Sequence, residues 1–347
     1  MDDAGRGGTR LAVFAFSRRG MDTARRIACA LEDAECRLYA AKRLAEGVFA
    51  PVEGPLADFT GPIFRREDAL VFVSSCGVAV RAVAPHVRSK NDDPAVIAVD
   101  ETARFAIPLL SGHIGGANRL AERLADALGA EAVVTTATDA NGRFSVDAWA
   151  AERGLCIDGL PEAKAVSAAI LEGDVPLKCD FPLAGSLPPG VTAGEAGPVG
   201  ICVSWRRQSP FEKTLLLAPP VVRLGVGCRR GTAAETIAAV VREALDRHGV
   251  HPRAVKCAAS IDLKRDEPGL LAFAEEAGLP LEFYSAGELE KIEGSFSPSA
   301  FVKRVTGVDN VCERAALAGG GELIIQKTAR DGVTVAAAVE HWEVRFG

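Results

Sequence analysis

The sequence predicts an α/β fold with three parts: an N-terminal parallel sheet covered by helices, a small middle region, and a C-terminal α/β domain with a mixed sheet. In the first part, continuous apolar runs alternate with short Ser/Gly turns and helix-period segments, as is typical of parallel strands buried on both faces. Gly and Pro become frequent in the middle, which favours short strands and loops. Near the C-terminus, two apolar runs flank Asp331-Gly332 and predict a hairpin. We therefore expect domains at residues 1–150, 151–218 and 219–347.

The N-terminal part repeats a strand, a polar turn and a helix. Its strands are continuous apolar runs, and its helices carry apolar residues three and four positions apart. The clearest helix is Arg119–Leu128, whose apolar face also includes Ala117 and which Gly129 can end in a left-handed conformation. The predicted strands are Leu11–Phe16, Ala69–Ser74, Val96–Val99 and Ala132–Thr136, and the other predicted helices are Met21–Leu31 and Val78–Val83.

Small polar residues follow four apolar runs in this part. Because ligands bind outside the carboxyl ends of parallel strands, we expect these four exits to meet in one crevice. Asp100 and Glu101 are candidates for acid–base work or cation binding, and the alternative is that they are solvated turn residues. The other candidates at these exits are Asp139 for acid–base work and Ser75, Gly77, Thr136 and Thr138 for substrate binding.

The stretch Ser111-Gly-His-Ile-Gly-Gly-Ala-Asn118 is the leading site candidate. Its glycines let the backbone approach a ligand closely, and the first N–H groups of the following helix carry partial positive charge. An imidazole on such a turn titrates near neutral pH, which suits a general base. The alternative is a purely structural role, in which the glycines only permit close packing and the histidine belongs to the core. The candidates are His113 as the base and Gly112, Gly115, Gly116 and Asn118 as ligand contacts.

The middle and C-terminal parts contain further strands. In the middle region only two short ones are indicated, Val199–Val203 and Thr214–Leu217. The C-terminal part begins a second compact unit, and its last two strands form the hairpin. Its predicted strands are Val221–Val226, Val255–Ser260, Leu281–Tyr284, Glu322–Thr328 and Val333–Val339, and its predicted helices are Ala233–Arg247, Glu267–Ala277 and Ser297–Val305.

A glycine-rich turn follows the first C-terminal strand. Its glycine spacing is not that of the dinucleotide fingerprint, and no Lys follows its last glycine as in a Walker loop. It still has the chemistry of an anion cradle, namely backbone N–H groups, a helix N-terminus and two guanidiniums. The alternative is a plain solvated turn. The candidates are Gly227, Arg229, Arg230, Gly231 and Thr232, with Thr232 also expected to cap the next helix through a capping box with Glu235, and Asp262 and Lys264 after the following strand.

Composition excludes several classes of protein. The net charge is −6 with acids and bases mixed along the chain, which argues against a nucleic-acid partner. The N-terminus is acidic and no apolar stretch approaches membrane-spanning length, so we expect a cytoplasmic protein without a signal peptide or membrane contact. Whether it forms a homodimer is left open.

The cysteines and histidines do not form a metal-binding pattern. The nine cysteines show no CxxC pair, which is typical of reduced thiols in a cytosol. The five histidines are dispersed, so we expect no zinc site.

These motifs resemble those of the cobalt-precorrin-5A hydrolase family, the cobalamin biosynthesis protein G of the anaerobic pathway. The N-terminal resemblance rests on Ser111–Asn118 and on Thr135-Thr-Ala-Thr-Asp139. Thr214–Pro219 of the middle region also fits. The C-terminal resemblance extends over almost the whole domain and is carried by Gly225–Thr232, Ala259-Ser-Ile-Asp-Leu-Lys264, Asp266-Glu-Pro-Gly-Leu270, Phe283-Tyr-Ser285 and Asn310-Val-Cys-Glu313.

The resemblance implies a reaction. Members of the family open the δ-lactone on ring A of cobalt-precorrin-5A with water, then release the meso carbon and its methyl group as acetaldehyde to give cobalt-precorrin-5B. Cobalt belongs to the tetrapyrrole substrate, so the resemblance implies no cofactor. The many carboxylates of that substrate would give Arg229 and Arg230 a role in binding.

Two other functions are compatible with the residues alone. One is a nucleotide- or sugar-phosphate-dependent transferase that uses the glycine-rich turn, although the missing Lys counts against it. The other is a tetrapyrrole-binding carrier that hands intermediates between pathway enzymes. Turnover of cobalt-precorrin-5A to acetaldehyde distinguishes the hydrolase from both.

Overall fold

The computed structural model describes residues 9–89, 92–113 and 115–346. The acidic N-terminus, residues 1–8, and Ile114 of the glycine turn lie outside the described residues. The chain forms two compact units, Met1–Ala148 and Trp149–Gly347. No helix in the described residues is both long enough and apolar enough to cross a membrane.

The first unit is a seven-stranded sheet with helices on both faces. Its strands are β1 (Thr9–Ala15), β2 (Ala34–Ala41), β3 (Phe49–Val52), β4 (Ala69–Val73), β5 (Ala95–Val99), β6 (Phe105–Leu110) and β7 (Glu131–Ala132). Its helices are α1 (Arg18–Ala30), α2 (Leu56–Phe64), α3 (Cys76–Val83), α4 (Ala117–Leu128) and α5 (Ala137–Ala140), and α6 (Val146–Glu152) contains the boundary between the units.

The side chains of the central strand β1 point alternately to the two faces of the sheet, which explains why helices cover both faces. Strand β1 is buried from Leu11 onward. Leu11 and Val13 pack in one core cluster with residues of α1 and α4. Ala12 and Phe14 point to the opposite face and pack with residues of α2 and α3. Because successive side chains of a strand point to opposite faces, a wholly apolar strand requires a helical layer on each side.

The sheet order is β3-β2-β1-β4-β5-β6-β7. Strands β1 to β5 are parallel to one another, whereas β6 runs antiparallel to β5, with Val99 opposite Ala106 and Val96 opposite Leu110. The predicted helix-covered parallel sheet is confirmed, with this one reversed segment, which β7 follows in parallel. Helix α4 begins at Ala117, two residues earlier than predicted, and ends at Leu128 with the predicted left-handed Gly129 cap.

The reversal of β6 makes one expectation wrong. The end of β6 lies at the edge of the sheet where β5 begins, so His113 emerges at the amino edge of the parallel strands. Ser75 and Asp100 follow β4 and β5 and therefore lie at the carboxyl edge. The four exits do not meet in one crevice but divide between two opposite edges.

The second unit contains a sheet built from residues 156–218. Four of its strands are parallel, and β8 is antiparallel to its neighbour. The order is β11-β9-β12-β13-β8, with helix α7 (Leu160–Glu172) between its first two strands in the chain. The strands are β8 (Cys156–Asp158), β9 (Val175–Cys179), β11 (Val191–Ala193), β12 (Val199–Val203) and β13 (Lys213–Ala218), while β10 (Leu183–Ala184) pairs with β19 (Val344–Arg345).

The C-terminal sheet of this unit is mixed, as predicted. Its order is β16-β15-β14-β18-β17, in which the first three strands are parallel and the last two form an antiparallel hairpin. The strands are β14 (Val222–Cys228), β15 (Val255–Ile261), β16 (Leu281–Tyr284), β17 (Glu322–Arg330) and β18 (Val333–Val339), and the helices are α8 (Ala234–Arg247), α9 (Pro268–Ala277), α10 (Ala286–Glu290), α11 (Ala300–Thr306) and α12 (Cys312–Leu317).

Two local predictions are wrong. The strand expected at Ala132–Thr136 is only Glu131–Ala132, because the chain turns at Thr136 to begin α5. Thr232 does not cap α8: Ala233 is the N-cap, without a side-chain bond, and the Thr232 hydroxyl donates instead to the Arg229 carbonyl, 2.7 Å away. That bond closes the glycine-rich turn on itself.

Candidate active site

His113 lies between two carboxylates at the amino edge of the first unit. Its Nε2 is 2.9 Å from Asp139 Oδ2, and its Nδ1 is 3.2 Å from Asp147 Oδ1. The imidazole is 18% exposed and the two carboxylates are 36% and 24% exposed, respectively. His113 is therefore largely buried but remains at a surface that water can reach.

The glycines before α4 close the turn that places His113. The Asn118 N–H donates to the Gly112 carbonyl at 2.9 Å, and a Cβ on Gly112 would lie 2.8 Å from Asn118 Oδ1. A Cβ on Gly115 would lie 2.4 Å from Ser111 Cβ, and Gly116 has a left-handed φ of 78°. Side chains at these positions would clash or strain the backbone. The Gly116 N–H is already bonded to the His113 carbonyl at 2.9 Å, so packing accounts for much of the glycine pattern.

Asp139 is the centre of a hydrogen-bond network. Its Oδ2 accepts from Asn118 Nδ2 at 3.1 Å and from the Thr136 hydroxyl, in addition to its contact with His113. Asn118 Nδ2 also contacts the Thr136 hydroxyl, and the Thr138 hydroxyl lies 3.3 Å from His113 Nε2. Within the described chain no hydrogen bond reaches Asp139 Oδ1, so this oxygen is available to an incoming molecule.

The two carboxylates favour the charged imidazole. The hydrogen bond to Asp147, opposed by burial and assisted by the hydrogen bond to Asp139, raises the pKa of His113 from 6.5 to about 8. Burial alone would raise the pKa of each carboxyl, but hydrogen bonds, including those from His113, outweigh it and lower both values. At pH 7 His113 is mostly an imidazolium that donates to two carboxylates.

The sequence prediction missed Asp147. It stands 34 positions after His113, beyond a short turn and outside any recognised motif. The Ser145 hydroxyl donates to its Oδ1 at 2.8 Å, and the Ala148 N–H does so at 3.0 Å. A Ser-x-Asp segment at the start of a helix is a local cap pattern, and in the sequence nothing relates it to His113.

The candidates at the opposite, carboxyl edge of this sheet are not brought to His113. Asp100 accepts from the backbone N–H groups of Arg104 and Phe105, each at 2.7 Å, and from the Thr102 hydroxyl. Burial alone would raise the pKa of Asp100, but these hydrogen bonds outweigh it and lower the pKa. Asp100 therefore holds the β5–β6 turn, which supports the turn interpretation over acid–base work.

The remaining carboxyl-edge candidates have ordinary surroundings. The Glu101 carbonyl accepts from the Thr23 hydroxyl at 2.9 Å, and this bond ties the β5–β6 turn to α1. Ser75 precedes α3 without a side-chain capping bond. A Cβ on Gly77 would meet only the flexible end of Arg81, at 3.1 Å. Among the residues that the structure describes, none makes a contact with these three that marks them as catalytic.

In the second unit, the glycine-rich turn already holds a carboxylate of the chain itself. The Gly231 N–H donates to Glu267 Oε1 at 2.7 Å, and Lys264 Nζ contacts Glu267 Oε2 at 2.8 Å. The Glu267 side chain is only 2% exposed, and its bond with Lys264, together with that from Gly231, lowers its pKa. A Cβ on Gly269 would lie 1.8 Å from the Thr232 carbonyl, so α9 packs directly against the turn.

The two arginines of this turn are accessible. Arg230 and Asp266 are 83% and 80% exposed and 3.9 Å apart, a separation that contributes little in water. Arg229 has no ion pair within the described chain. Asp262 begins the 3-10 turn after β15 and is exposed. A Cβ on Gly227 would lie 2.6 Å from the Thr334 hydroxyl, so this glycine lets the hairpin approach β14. Both guanidiniums are thus exposed and can bind an anion.

Metal ligands are not grouped in the parts of the chain that the structure describes. Over residues 9–89, 92–113 and 115–346, no set of three or more His, Cys, Asp or Glu side chains is arranged to hold a metal ion.

Comparison with known proteins finds similarity over nearly the whole chain. Residues 58–139 match the family model described as Cobalamin synthesis G N-terminal, and residues 222–338 match Cobalamin synthesis G C-terminus. Cobalt-precorrin-5A hydrolase of Salmonella typhimurium strain LT2 is 33% identical over 95% of this chain and 98% of that protein. The enzyme of the same name from Priestia megaterium is 29% identical over 94% of each chain. Protein CobE of a Sinorhizobium species is 40% identical over 33% of this chain and 77% of its own length.

Proposed function

The chain belongs to the cobalamin synthesis G family, and on that premise we propose that it is a cobalt-precorrin-5A hydrolase of cobalamin biosynthesis. The observation that carries the proposal is 33% identity to a hydrolase of that name across 95% of this chain. The cluster of His113, Asp139 and Asp147 supports it, since an ester-opening enzyme needs a proton donor and a proton acceptor side by side.

The reaction that we propose follows the family resemblance. Water opens the δ-lactone on ring A, and the freed hydroxyl then loses its proton as the adjacent carbon–carbon bond breaks. Acetaldehyde leaves, and the bonding electron pair stays with the macrocycle. The substrate is a cobalt-bearing tetrapyrrole, and the cobalt is part of that substrate.

The geometry supports a proton relay in place of a simple general base. The expected role of His113 as the resting base requires a free ring nitrogen, but both nitrogens contact carboxylates. We propose that the free Oδ1 of Asp139 accepts the proton of the attacking water and then gives it to the departing alkoxide. The His113 imidazolium, whose Nε2 lies 2.9 Å from Asp139 Oδ2, stabilises the charged form of this carboxylate before and after the transfer. In the second step the same pair accepts the hydroxyl proton.

Arg229 and Arg230 are the proposed carboxylate-binding groups of the second unit. They are exposed, and the neighbouring Gly231 N–H is occupied by Glu267. Guanidiniums bind carboxylates through paired, charge-assisted hydrogen bonds, and the proposed substrate has many acetate and propionate groups. The contribution of this turn is therefore binding.

Incubation with cobalt-precorrin-5A tests the function. We expect acetaldehyde and cobalt-precorrin-5B in equal amounts, and His113→Ala should lower turnover by about a hundredfold or more. His341→Ala, at an exposed histidine, is the matched control and should retain normal turnover. Tight binding without acetaldehyde would favour the carrier alternative, and near-normal turnover by His113→Ala would remove the imidazole from the mechanism.

Three further expectations accompany this function. We propose that the protein acts in the cytoplasm, where a biosynthetic intermediate would be available. We also propose that turnover requires no added cofactor, which a chelator-treated preparation tests. Whether the protein is a monomer or a homodimer stays open, and analytical ultracentrifugation distinguishes the two.

A further inference from the structure

The second unit contains a cavity of about 500 Å³ that the proposed hydrolase function does not use. Residues of α8 and α9 line it, together with Val255 at the start of β15 and Leu224 of β14. Val255 is the first residue of β15, so the cavity reaches the amino edge of this sheet. The glycine-rich turn follows β14 and lies at the carboxyl edge.

The inside of the cavity is apolar. Leu224, Val241, Leu245 and Phe273 line it, and each is at most 6% exposed. The cavity is open to solvent on one side, and its volume lies within the roughly 300–1,000 Å³ that is typical of ligand sites. Its size and its mainly apolar lining therefore suit a small molecule.

The charged residues that line the cavity carry an excess of one positive charge. Arg207 and Asp246 both line it and bond to each other at 2.7 Å. Arg242, one helical turn before Asp246 on α8, also lines the cavity. Its guanidinium has no hydrogen bond or ion pair within the described chain. A ligand that buries an apolar body among these side chains can therefore pair one negative charge with Arg242.

We propose that this cavity binds an amphiphilic monocarboxylate, with the apolar body between α8 and α9 and the carboxylate on Arg242. The site takes a ligand chemically unlike a macrocycle with many carboxylates, and it lies at the edge of the sheet opposite the glycine-rich turn. The proposal does not depend on the hydrolase assignment.

The test uses octanoate and 1-octanol, which share an apolar chain and differ in charge, with the full-length protein and isothermal titration calorimetry. We expect saturable 1:1 binding of octanoate, and weaker binding of 1-octanol. Arg242→Gln should weaken octanoate binding by about tenfold, because it removes one charge-assisted hydrogen bond, and leave 1-octanol unchanged. Arg247→Gln is the matched control, since Arg247 lies on the same helix, is exposed and pairs with Glu243.

A second variant tests the cavity itself. Ala238 lines it from α8 and is partly exposed, so Ala238→Phe should fill the space without disturbing the fold and abolish binding of both probes. An unchanged melting temperature confirms that the variant is folded. The proposal is overturned if octanoate does not saturate, if the two probes bind equally well to the native protein, or if Ala238→Phe binds octanoate normally.

Discussion

The His113 imidazole contacts Asp139 at 2.9 Å and Asp147 at 3.2 Å, and the two carboxylates differ in what else holds them. Asp139 contacts Asn118 and Thr136 and keeps one oxygen free, whereas Asp147 is fixed by its own helix start. We infer that Asp147 positions the imidazole and sets its charge, while Asp139 meets the reacting groups.

Asp147→Asn tests that division. Removing the carboxylate takes away the largest influence that raises the pKa of His113, so we expect this pKa to fall by about one unit or more. NMR titration of the imidazole measures it, and the pH profile of turnover should shift in the same direction. Asp126→Asn, at an exposed carboxylate of α4, should change neither. An unshifted His113 titration in Asp147→Asn would show that Asp147 has no such role.

The same interaction predicts how stability depends on pH. The pKa of His113 is raised from 6.5 to about 8 on folding, so its stabilising effect is fully present below pH 6.5 and is lost as the pH rises through 8. The 1.5-unit difference corresponds to about 2 kcal/mol. The difference in unfolding free energy between the native protein and His113→Gln should therefore shrink by about that amount from pH 6 to pH 9. A difference independent of pH would contradict the charged-imidazole assignment.

The sequence predicts His113 and Asn118 as site residues because they belong to a glycine-rich turn before a helix, and Asp139 because it follows a predicted strand. Asp147 could not be predicted in this way, since only the fold brings it to His113. Asp100 shows the opposite case, because a carboxylate after a strand resembles a catalytic group until its bonds to its own turn are seen.

At the level of elements, the direction of β6 determines where the site lies. The run Phe105–Leu110 is as apolar as a parallel strand, so its composition does not reveal its direction. The length of the loop before this run indicates its direction, because β5 ends at Val99 and β6 begins at Phe105. Parallel strands need a crossover of about a dozen residues or more, so a connection this short requires an antiparallel pair.

Close packing of α12 on β14 gives a prediction at the same scale. A Cβ on Gly225 would lie 1.7 Å from the Cys312 carbonyl oxygen and 2.8 Å from the Ala316 nitrogen, both backbone atoms of α12. Gly225→Ala must therefore displace the helix, and we expect a loss of about 3 kcal/mol or more in unfolding free energy. Gly287→Ala is the control, because a Cβ there has no atom within 4 Å. Denaturant unfolding measures both variants, and equal stability would contradict the packing.

For the whole molecule, charge constrains how the proposed substrate binds. The chain has a net charge of −6, and the substrate is a polyanion, so the long-range interaction between them is repulsive. Binding must depend on local positive groups, of which Arg229 and Arg230 are exposed and at most weakly paired. At 0.1 M salt, exposed charges that are more than about 10 Å apart are largely screened from each other. The long-range repulsion is then weak, and the affinity depends mainly on the local ion pairs.

Replacing both arginines with glutamine should weaken substrate binding by about 1.5 kcal/mol for each charge-assisted hydrogen bond that the substitution removes, with kcat at saturation unchanged. In the native protein, affinity should fall between 50 mM and 500 mM salt, and the double variant should show much less of that dependence because the screened ion pairs are absent.

Lys213→Gln with Arg247→Gln removes the same charge from exposed positions of the same unit and is the matched control. If the control weakens binding as much as the arginine variant does, net charge and not the glycine-rich turn governs the affinity. If neither does, Arg229 and Arg230 are solvated turn residues.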